Sequence, residues 1–254
     1  MGERAAMVPA QRRQRILQAV RSGTAHVSEL ARAFEVSEMT VRRDLHALER
    51  DGKLARVHGG AVDLVPERPF DQVALEDRDA KDAIGRAAAA MVEDGQVVML
   101  DIGTTTLQVA HHLRGRHVTV ITTNLAALDE LRDDPHVEIV LAGGLVRRNY
   151  HSTVGVFAED ALGQLRADIA FLGTSAVDET LSVWDSTMIE VPIKRAIIRA
   201  AERVVLLADS GKFAMSGTVR ICGASDLDHI ISDAALPAGD RAAIEDAGIE
   251  VTIA

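Results

Sequence analysis

Five short, predominantly apolar runs limit the folds open to this chain more than any other feature. They lie at residues 97–100, 118–121, 137–141, 169–172 and 204–208. Each is too short for a buried helix, is rich in Val, Ile and Leu, and ends in small or polar residues. Most are followed by a stretch with helical periodicity, such as 107–113 or 125–131. A strand that is apolar on both sides must be covered on both. The alternation therefore predicts a mostly parallel sheet with helices on its two faces. Residues 71–94 lead into it as helix, with Ile84, Ala87, Ala88 and Met91 on one stripe and Gly95 as the stop.

Ligands of such sheets sit beyond the carboxyl ends of the strands. Those ends read Asp101-Ile102-Gly103-Thr104-Thr105-Thr106, Thr122-Thr123-Asn124, Gly143-Gly144, Gly173-Thr174-Ser175 and Asp209-Ser210-Gly211-Lys212. Glycines, hydroxyls, one amide and one lysine suit a small polyhydroxylated anion. In Gly103 to Thr106, glycine admits an anion close to the backbone, and the start of the following helix offers free N–H groups. The segment lacks the spacing of a nucleotide P-loop and of the G-x-G-x-x-G fingerprint, so no nucleotide cofactor is expected. Lys212, three residues after Asp209, is expected to serve the ligand. Lys194, on a helix predicted over 189–201, fits a solvent-facing role as well as a ligand contact. Trp184, the one tryptophan, is assigned to packing rather than to sugar stacking. The nine histidines show no metal-binding spacing, so no metal is expected. The adjacent His111 and His112 face different sides of their helix and read as structural or solvated. Cys222, the single cysteine, reads as a small buried hydrophobe, and its solitude suits the cytoplasm. No apolar run approaches the length of a membrane span.

The amino-terminal part follows a different rule. Val27, Leu30, Ala31 and Phe34 fall at i, i+3, i+4 and i+7, and after a turn at Glu35-Val36 the pattern resumes with Val41, Leu45 and Leu48. Ser37 stands at the N-cap position of the second helix. Its free face carries Met39, Arg43 and His46, flanked by Thr40 and Arg42. Two short helices joined tightly, the second basic on its free side, describe a helix-turn-helix. Gly59-Gly60 then allows a hairpin between two short strands, a basic wing. Residues 1–62 hold 11 Lys and Arg against 7 Asp and Glu, and the remainder holds 17 against 31. A basic head on an acidic body binds nucleic acid through the head, whatever the net charge of −10 suggests. Residues 63–70, with Pro66 and Pro69, form the expected linker between a winged helix-turn-helix over 1–62 and an α/β body over 71–254.

These residues resemble the DeoR family of bacterial transcription regulators. The likeness rests on Ile16-Leu17, Glu29-Leu30-Ala31, Val36-Ser37, the run Thr40 to Leu45, Leu48-Glu49, Gly52 and the run Arg56 to Ala61. In the body it rests on Asp101 with Gly103-Thr104-Thr105, Thr123-Asn124, Gly143-Gly144, Gly155, Lys194, and Asp209 with Lys212-Phe213. The family more often has a hydroxyl residue where Gly211 stands, and a glycine within 179–185. The resemblance implies a sensor body related in fold to ribose-phosphate isomerase and glucosamine-phosphate deaminase, which recognises a phosphorylated sugar or similar metabolite. It implies an effector site of Asp101, Gly103, Thr104, Thr105, Thr106, Asn124, Asp209 and Lys212. Met39, Thr40, Arg42 and Arg43 are expected to approach base edges or flanking phosphates of double-stranded operator DNA, with Ser37, Lys53, Arg56 and His58 on its backbone.

The expected protein is thus a cytoplasmic, ligand-responsive repressor of carbohydrate metabolism genes, not an enzyme. Useful operator specificity needs two heads, so a homodimer or homotetramer is expected. The rival is a sugar-phosphate isomerase or deaminase that has gained a DNA-binding head. Its base would be Asp178, Glu179, Asp185 or Glu190, none of which the spacing singles out.

Overall fold

The computed structural model describes residues 9–21, 27–50, 54–57, 60–63, 68–215 and 217–254. The chain divides into two compact units, Met1–Glu67 and Arg68–Ala254.

In the first unit, α1 (Pro9–Arg21), α2 (Val27–Ala33) and α3 (Glu38–Arg50) precede β1 (Leu54–Val57) and β2 (Gly60–Asp63), which pair antiparallel. The apolar stripes legible in the sequence meet here: Val27, Leu30 and Ala31 of α2 join Val41, Leu45 and Leu48 of α3 and Ile16 of α1. Between α2 and α3 the backbone turns at Glu35, whose φ of 53° is the left-handed value that ends a helix. Asp44, buried on the inner side of α3, accepts from Arg12 Nε at 2.6 Å and lies 3.6 Å from Arg13 Nε, tying α1 to α3.

The second unit runs α4 (Phe70–Ala74), α5 (Arg78–Ala90), β3 (Val97–Leu100), α6 (Thr104–Leu113), β4 (Val118–Thr122), α7 (Leu125–Leu131), β5 (Val137–Leu141), β6 (Leu145–Arg147), β7 (Ser152–Val154) and α8 (Val156–Gly163). It continues with β8 (Ala167–Gly173), β9 (Ala176–Val177), β10 (Val183–Asp185), α9 (Val191–Ala200), β11 (Ala201–Leu207), β12 (Val219–Cys222), β13 (His229–Ser232), α10 (Ala238–Asp246) and β14 (Glu250–Ile253). Seven strands form one sheet, in the order β14-β13-β11-β8-β3-β4-β5, and every neighbouring pair is parallel. A small antiparallel sheet, β12-β10-β9, and the hairpin β6-β7 stand beside it.

The apolar strands are buried on both faces with the period of two that a pleated strand imposes. Val98, Leu100, Ile169, Phe171, Val205 and Leu207 enter one core with Ile84 and Ala88 of α5, Val109 and Leu113 of α6, and Leu131 of α7. Met99 and Ala170 point the other way, against Ala158 and Leu162 of α8 and Ile193, Ala196 and Ile197 of α9. The lead-in is not one continuous helix: Asp77, with φ of 48°, separates α4 from α5. Lys81 stabilises that break, its buried ammonium donating to the carbonyls of Val73 at 2.6 Å and Glu76 at 2.7 Å. Those carbonyls lie at the end of α4 and in the turn after it, where the regular helical ladder stops.

Gly85 sits where α5 crosses α6. A Cβ there would collide with Gln108 Cβ and lie 2.7 Å from the Gln108 backbone carbon. Gly85→Ala is expected to force the two helices apart and cost about 1–3 kcal/mol in chemical denaturation, although alanine is the better helix former. An unchanged midpoint would show that the crossing is loose.

Candidate functional site

On α3, the N-cap hydroxyl of Ser37 accepts from Thr40 N at 3.2 Å and lies 2.9 Å from Thr40 Oγ1, which fixes the start of the helix. Val41, Asp44, Leu45 and Leu48 turn inward, leaving Met39, Arg42, Arg43 and His46 exposed on the opposite side. Arg42 pairs with Glu38 one turn back at 3.1 Å, an exposed contact of little energetic weight that a competing phosphate displaces cheaply. Thr40 is half-buried at the edge of this face. Arg56 lies on β1. Lys53 and His58 lie outside the described residues.

In the body, the predicted strand-end residues divide into two groups. Asp101, Thr106 and Asn124 are wholly buried and brace the site. Asn124 is the N-cap of α7, its Oδ1 accepting from Ala126 N at 3.0 Å and Ala127 N at 3.2 Å. Its Nδ2 donates to Gly103 O at 3.2 Å and Thr106 Oγ1 at 3.4 Å. Thr106 Oγ1 itself donates to Gly103 O at 2.9 Å. The side-chain amide is thus spent on shaping the loop between β3 and α6. Gly103 holds φ of 126°, which an L side chain rarely adopts, and no side chain caps the first turn of α6. Gly103 and Thr105 are the accessible members of that loop, and Thr104 is nearly buried.

Lys194 is not solvent-facing. It lies on the inner stripe of α9 with Val191 and Ile197, and its ammonium is buried beneath the loop. It ion-pairs with Asp101 Oδ2, donates to Gly173 O at 3.0 Å and lies 3.5 Å from Asp185 Oδ2. Burial disfavours its charge, but Asp101 and Asp185 outweigh that and lift its pKa to about 12. Asp101 Oδ2 also accepts from Gly173 N at 3.0 Å, so one cluster joins the ends of β3 and β8 to α9.

The second group gathers at the end of β11. Lys212 Nζ lies 3.6 Å from Asp209 Oδ2, and Lys212 is only partly covered. Lys81 is near enough to interact with both. Burial first, then the Lys212 ammonium, lowers its pKa, against the pull of Asp209. Asp77 and Glu76 also lie within electrostatic reach of Lys81, and Glu76 within reach of Lys212, so the two ammonium groups stand in a mixed-charge corner. Only β8 separates β11 from β3 in the sheet, which puts their ends roughly 10 Å apart. Four buried side-chain atoms here have no hydrogen-bond partner: Asp101 Oδ1, Thr123 Oγ1, Asp209 Oδ2 and Ser232 Oγ. They sit at the ends of β3, β4, β11 and β13, and unpaired polar atoms concentrated so are a ligand signal.

The four carboxylates considered as bases are engaged otherwise or lie apart. Asp178, against the cost of its partial burial, is held below the usual carboxylate range by Thr180, Trp184 and Ser182. Its bond to the Trp184 indole N–H, at 2.7 Å, makes that half-buried tryptophan part of the β9-β10 turn. Glu179 is exposed in the same turn. Asp185 accepts from Thr187 N at 2.9 Å, and the buried Glu190 ion-pairs with Arg147 and accepts from Ser152 Oγ at 3.2 Å. His111 bonds Glu130 and His112 bonds Asp82 on separate sides of α6. Cys222 is buried, which pushes its thiol up to about 12.

Residues 12–65 match the DeoR-like helix-turn-helix domain family, and residues 76–234 match the DeoR C terminal sensor domain. The chain belongs to the DeoR family of transcriptional regulators. The HTH-type transcriptional regulator GolR of Listeria innocua is 32% identical over 254 residues, 98% of this chain and 100% of GolR. The glycerol-3-phosphate regulon repressor of Haemophilus influenzae is 34% identical over 231 residues, covering 87% of this chain and 88% of the repressor. GlpR of Haloferax volcanii is 33% identical over 249 residues, 96% of this chain and 98% of its own. Among solved structures, ribose 5-phosphate isomerase A from Methanocaldococcus jannaschii aligns with a TM-score of 0.41 and 20% identity, over 54% of this chain and 55% of the isomerase. That likeness is too partial to carry a functional argument.

For this DeoR-family body, sequence reasoning missed Lys81, Arg147, Ser152 and Ser232. Lys81 had a signal, since it stands three residues before Ile84 on the buried stripe of α5. Arg147 and Ser152 had none, because their partner Glu190 comes from a distant part of the chain, and Ser232 had none because its place at a buried strand end depends on the sheet order. No helix among the described residues is long and apolar enough to cross a membrane.

Proposed function

We propose that this protein is a cytoplasmic repressor of carbohydrate metabolism genes whose operator affinity is lowered by a phosphorylated sugar or related metabolite. The winged helix-turn-helix over 1–62 binds double-stranded operator DNA through the exposed side of α3. The body over 71–254 holds the effector, 63–70 joins the two, and the protein works as a homo-oligomer. The observation that carries the effector reading is the uncapped start of α6 at Gly103, two strands along the sheet from the partly exposed Lys212 at the end of β11. The free N–H groups and helix dipole favour an anion at one end, and Lys212 favours one at the other. A sugar of three to six carbons with its phosphate on the loop spans the roughly 10 Å between them. The name of the glycerol-3-phosphate regulon repressor supports a small phosphorylated polyol as the ligand class.

A ligand releases DNA only by binding the DNA-free form more tightly, and the coupling is reciprocal. Lys212→Ala and Thr105→Val are therefore expected to bind operator as the parent does and to ignore the effector. Thermal-shift screening against phosphorylated sugars and polyols identifies the ligand. At 100 times its dissociation constant it adds about 2.7 kcal/mol, a rise of roughly 5–10 °C for a body of this size. Fluorescence anisotropy on operator DNA, with and without that ligand, then tests both variants. If both still respond, the pocket lies elsewhere. If the protein turns over a member of the panel, the enzyme reading prevails.

A further inference from the structure

A monomer seldom leaves large apolar side chains exposed side by side, yet one face of the body does. Leu145 of β6 is 66% exposed, Val156 61% and Phe157 77%. Leu145 pairs with Val154, two residues before Val156, so the three share the base of the β6-β7 hairpin. Arg147 and Ser152 bond Glu190, so the segment carrying Met188 and Ile189, 49% and 46% exposed, runs close to the hairpin. Five side chains exposed to this degree present on the order of 500 Å² of apolar surface, at the upper end for the largest patch of a monomer. That is a major share of the ~800 Å² each partner contributes to a stable dimer.

Charge brackets the patch. Arg148 is exposed at the hairpin tip, and Asp160 is exposed on the stripe of α8 that carries Val156 and Phe157. A surface with an apolar centre, a cation at one end and an anion at the other is complementary to its own image about a two-fold axis. We propose that a second copy of this chain docks here, body to body, with Phe157 at the centre and Arg148 of each copy facing Asp160 of the other. The proposal rests on the reading that operator binding needs two heads, and it adds where the two copies meet. The hairpin is also tied to the junction between β4 and α7. Thr153 N donates to Thr123 O at 2.9 Å, Leu125 N donates to His151 O at 2.8 Å, and Asn124 bridges Ser152.

Sedimentation velocity of the full chain at micromolar concentration tests this, with Phe157→Asp, Arg148→Glu, Asp160→Arg and the double charge reversal. The parent is expected to be a dimer or larger. Phe157→Asp should weaken self-association at least 100-fold while leaving the circular-dichroism spectrum unchanged, because the side chain is exposed in the single chain. Each single charge reversal should weaken association, and the double reversal should restore it. Phe157→Asp should also lose affinity for a two-half-site operator and keep that of the parent for a single half-site. Parent-like association of Phe157→Asp overturns the docking surface while leaving the two-headed reading intact. A parent that stays monomeric on operator DNA overturns both, whatever else covers the patch.

Discussion

A Lys194→Met variant is expected to lose about 3–5 kcal/mol of stability, the cost of leaving buried carboxylates without their counter-charge. Asp101 is fully buried and Asp185 nearly so, and Lys194 is the cation between them. For a body of this size the loss appears as a fall of about 10 °C or more in melting temperature. Urea denaturation should show a lower midpoint with an unchanged slope. Adding Asp101→Asn should recover part of the loss by removing one of the stranded charges. The pH dependence has a defined sign. Lys194 is raised from its ordinary 10.5 to about 12. Its contribution is therefore complete below 10.5 and is lost as the pH climbs toward 12. A loss under 1 kcal/mol in the single variant would show that the cluster shares protons and is not charge-paired.

The second large effect concerns DNA. Arg42→Ala with Arg43→Ala is expected to lower operator affinity by about 100-fold or more, since each base-reading arginine contributes roughly 1–3 kcal/mol. Folding should be nearly untouched, because both side chains are exposed and the Arg42–Glu38 pair lies in solvent. Lys53→Ala should weaken every sequence alike and reduce the salt slope by about one. Anisotropy titrations on operator and scrambled DNA across a salt series separate the two behaviours. Retention of specific binding by the double variant would remove α3 as the reading helix.

The linear pattern carried a great deal. The helix-turn-helix was legible because each of its signals is local: apolar residues at helical spacing, Ser37 at the cap, and basic residues on the face left over. The parallel sheet was legible because strands buried on both sides need no polar residues. Val98–Leu100 or 204–207 therefore announce their surroundings through composition alone. The turn at Gly103 was legible too, since a glycine between a strand and a helix marks a backbone angle that L side chains rarely adopt.

What the sequence did not reveal was which of these residues face a ligand and which hold the others in place. Asn124 reads in the sequence as a strand-end polar group, and the structure adds that it clasps α7, Gly103 and Thr106 together. Lys194 looked as though it could be solvated, yet it is locked to Asp101, 93 residues earlier in the chain. The seven-strand order decides such pairings by setting β8 beside β3 and β11 at once. By itself, then, the sequence determined the helix-turn-helix and the parallel α/β class with five of its seven sheet strands, which arise from interactions within about one helical turn or strand. Only the tertiary structure decided the buried ion cluster, the mixed-charge corner and the exposed hairpin patch. Each depends on charges or apolar groups from remote segments meeting where water is excluded or admitted, and no local periodicity encodes that.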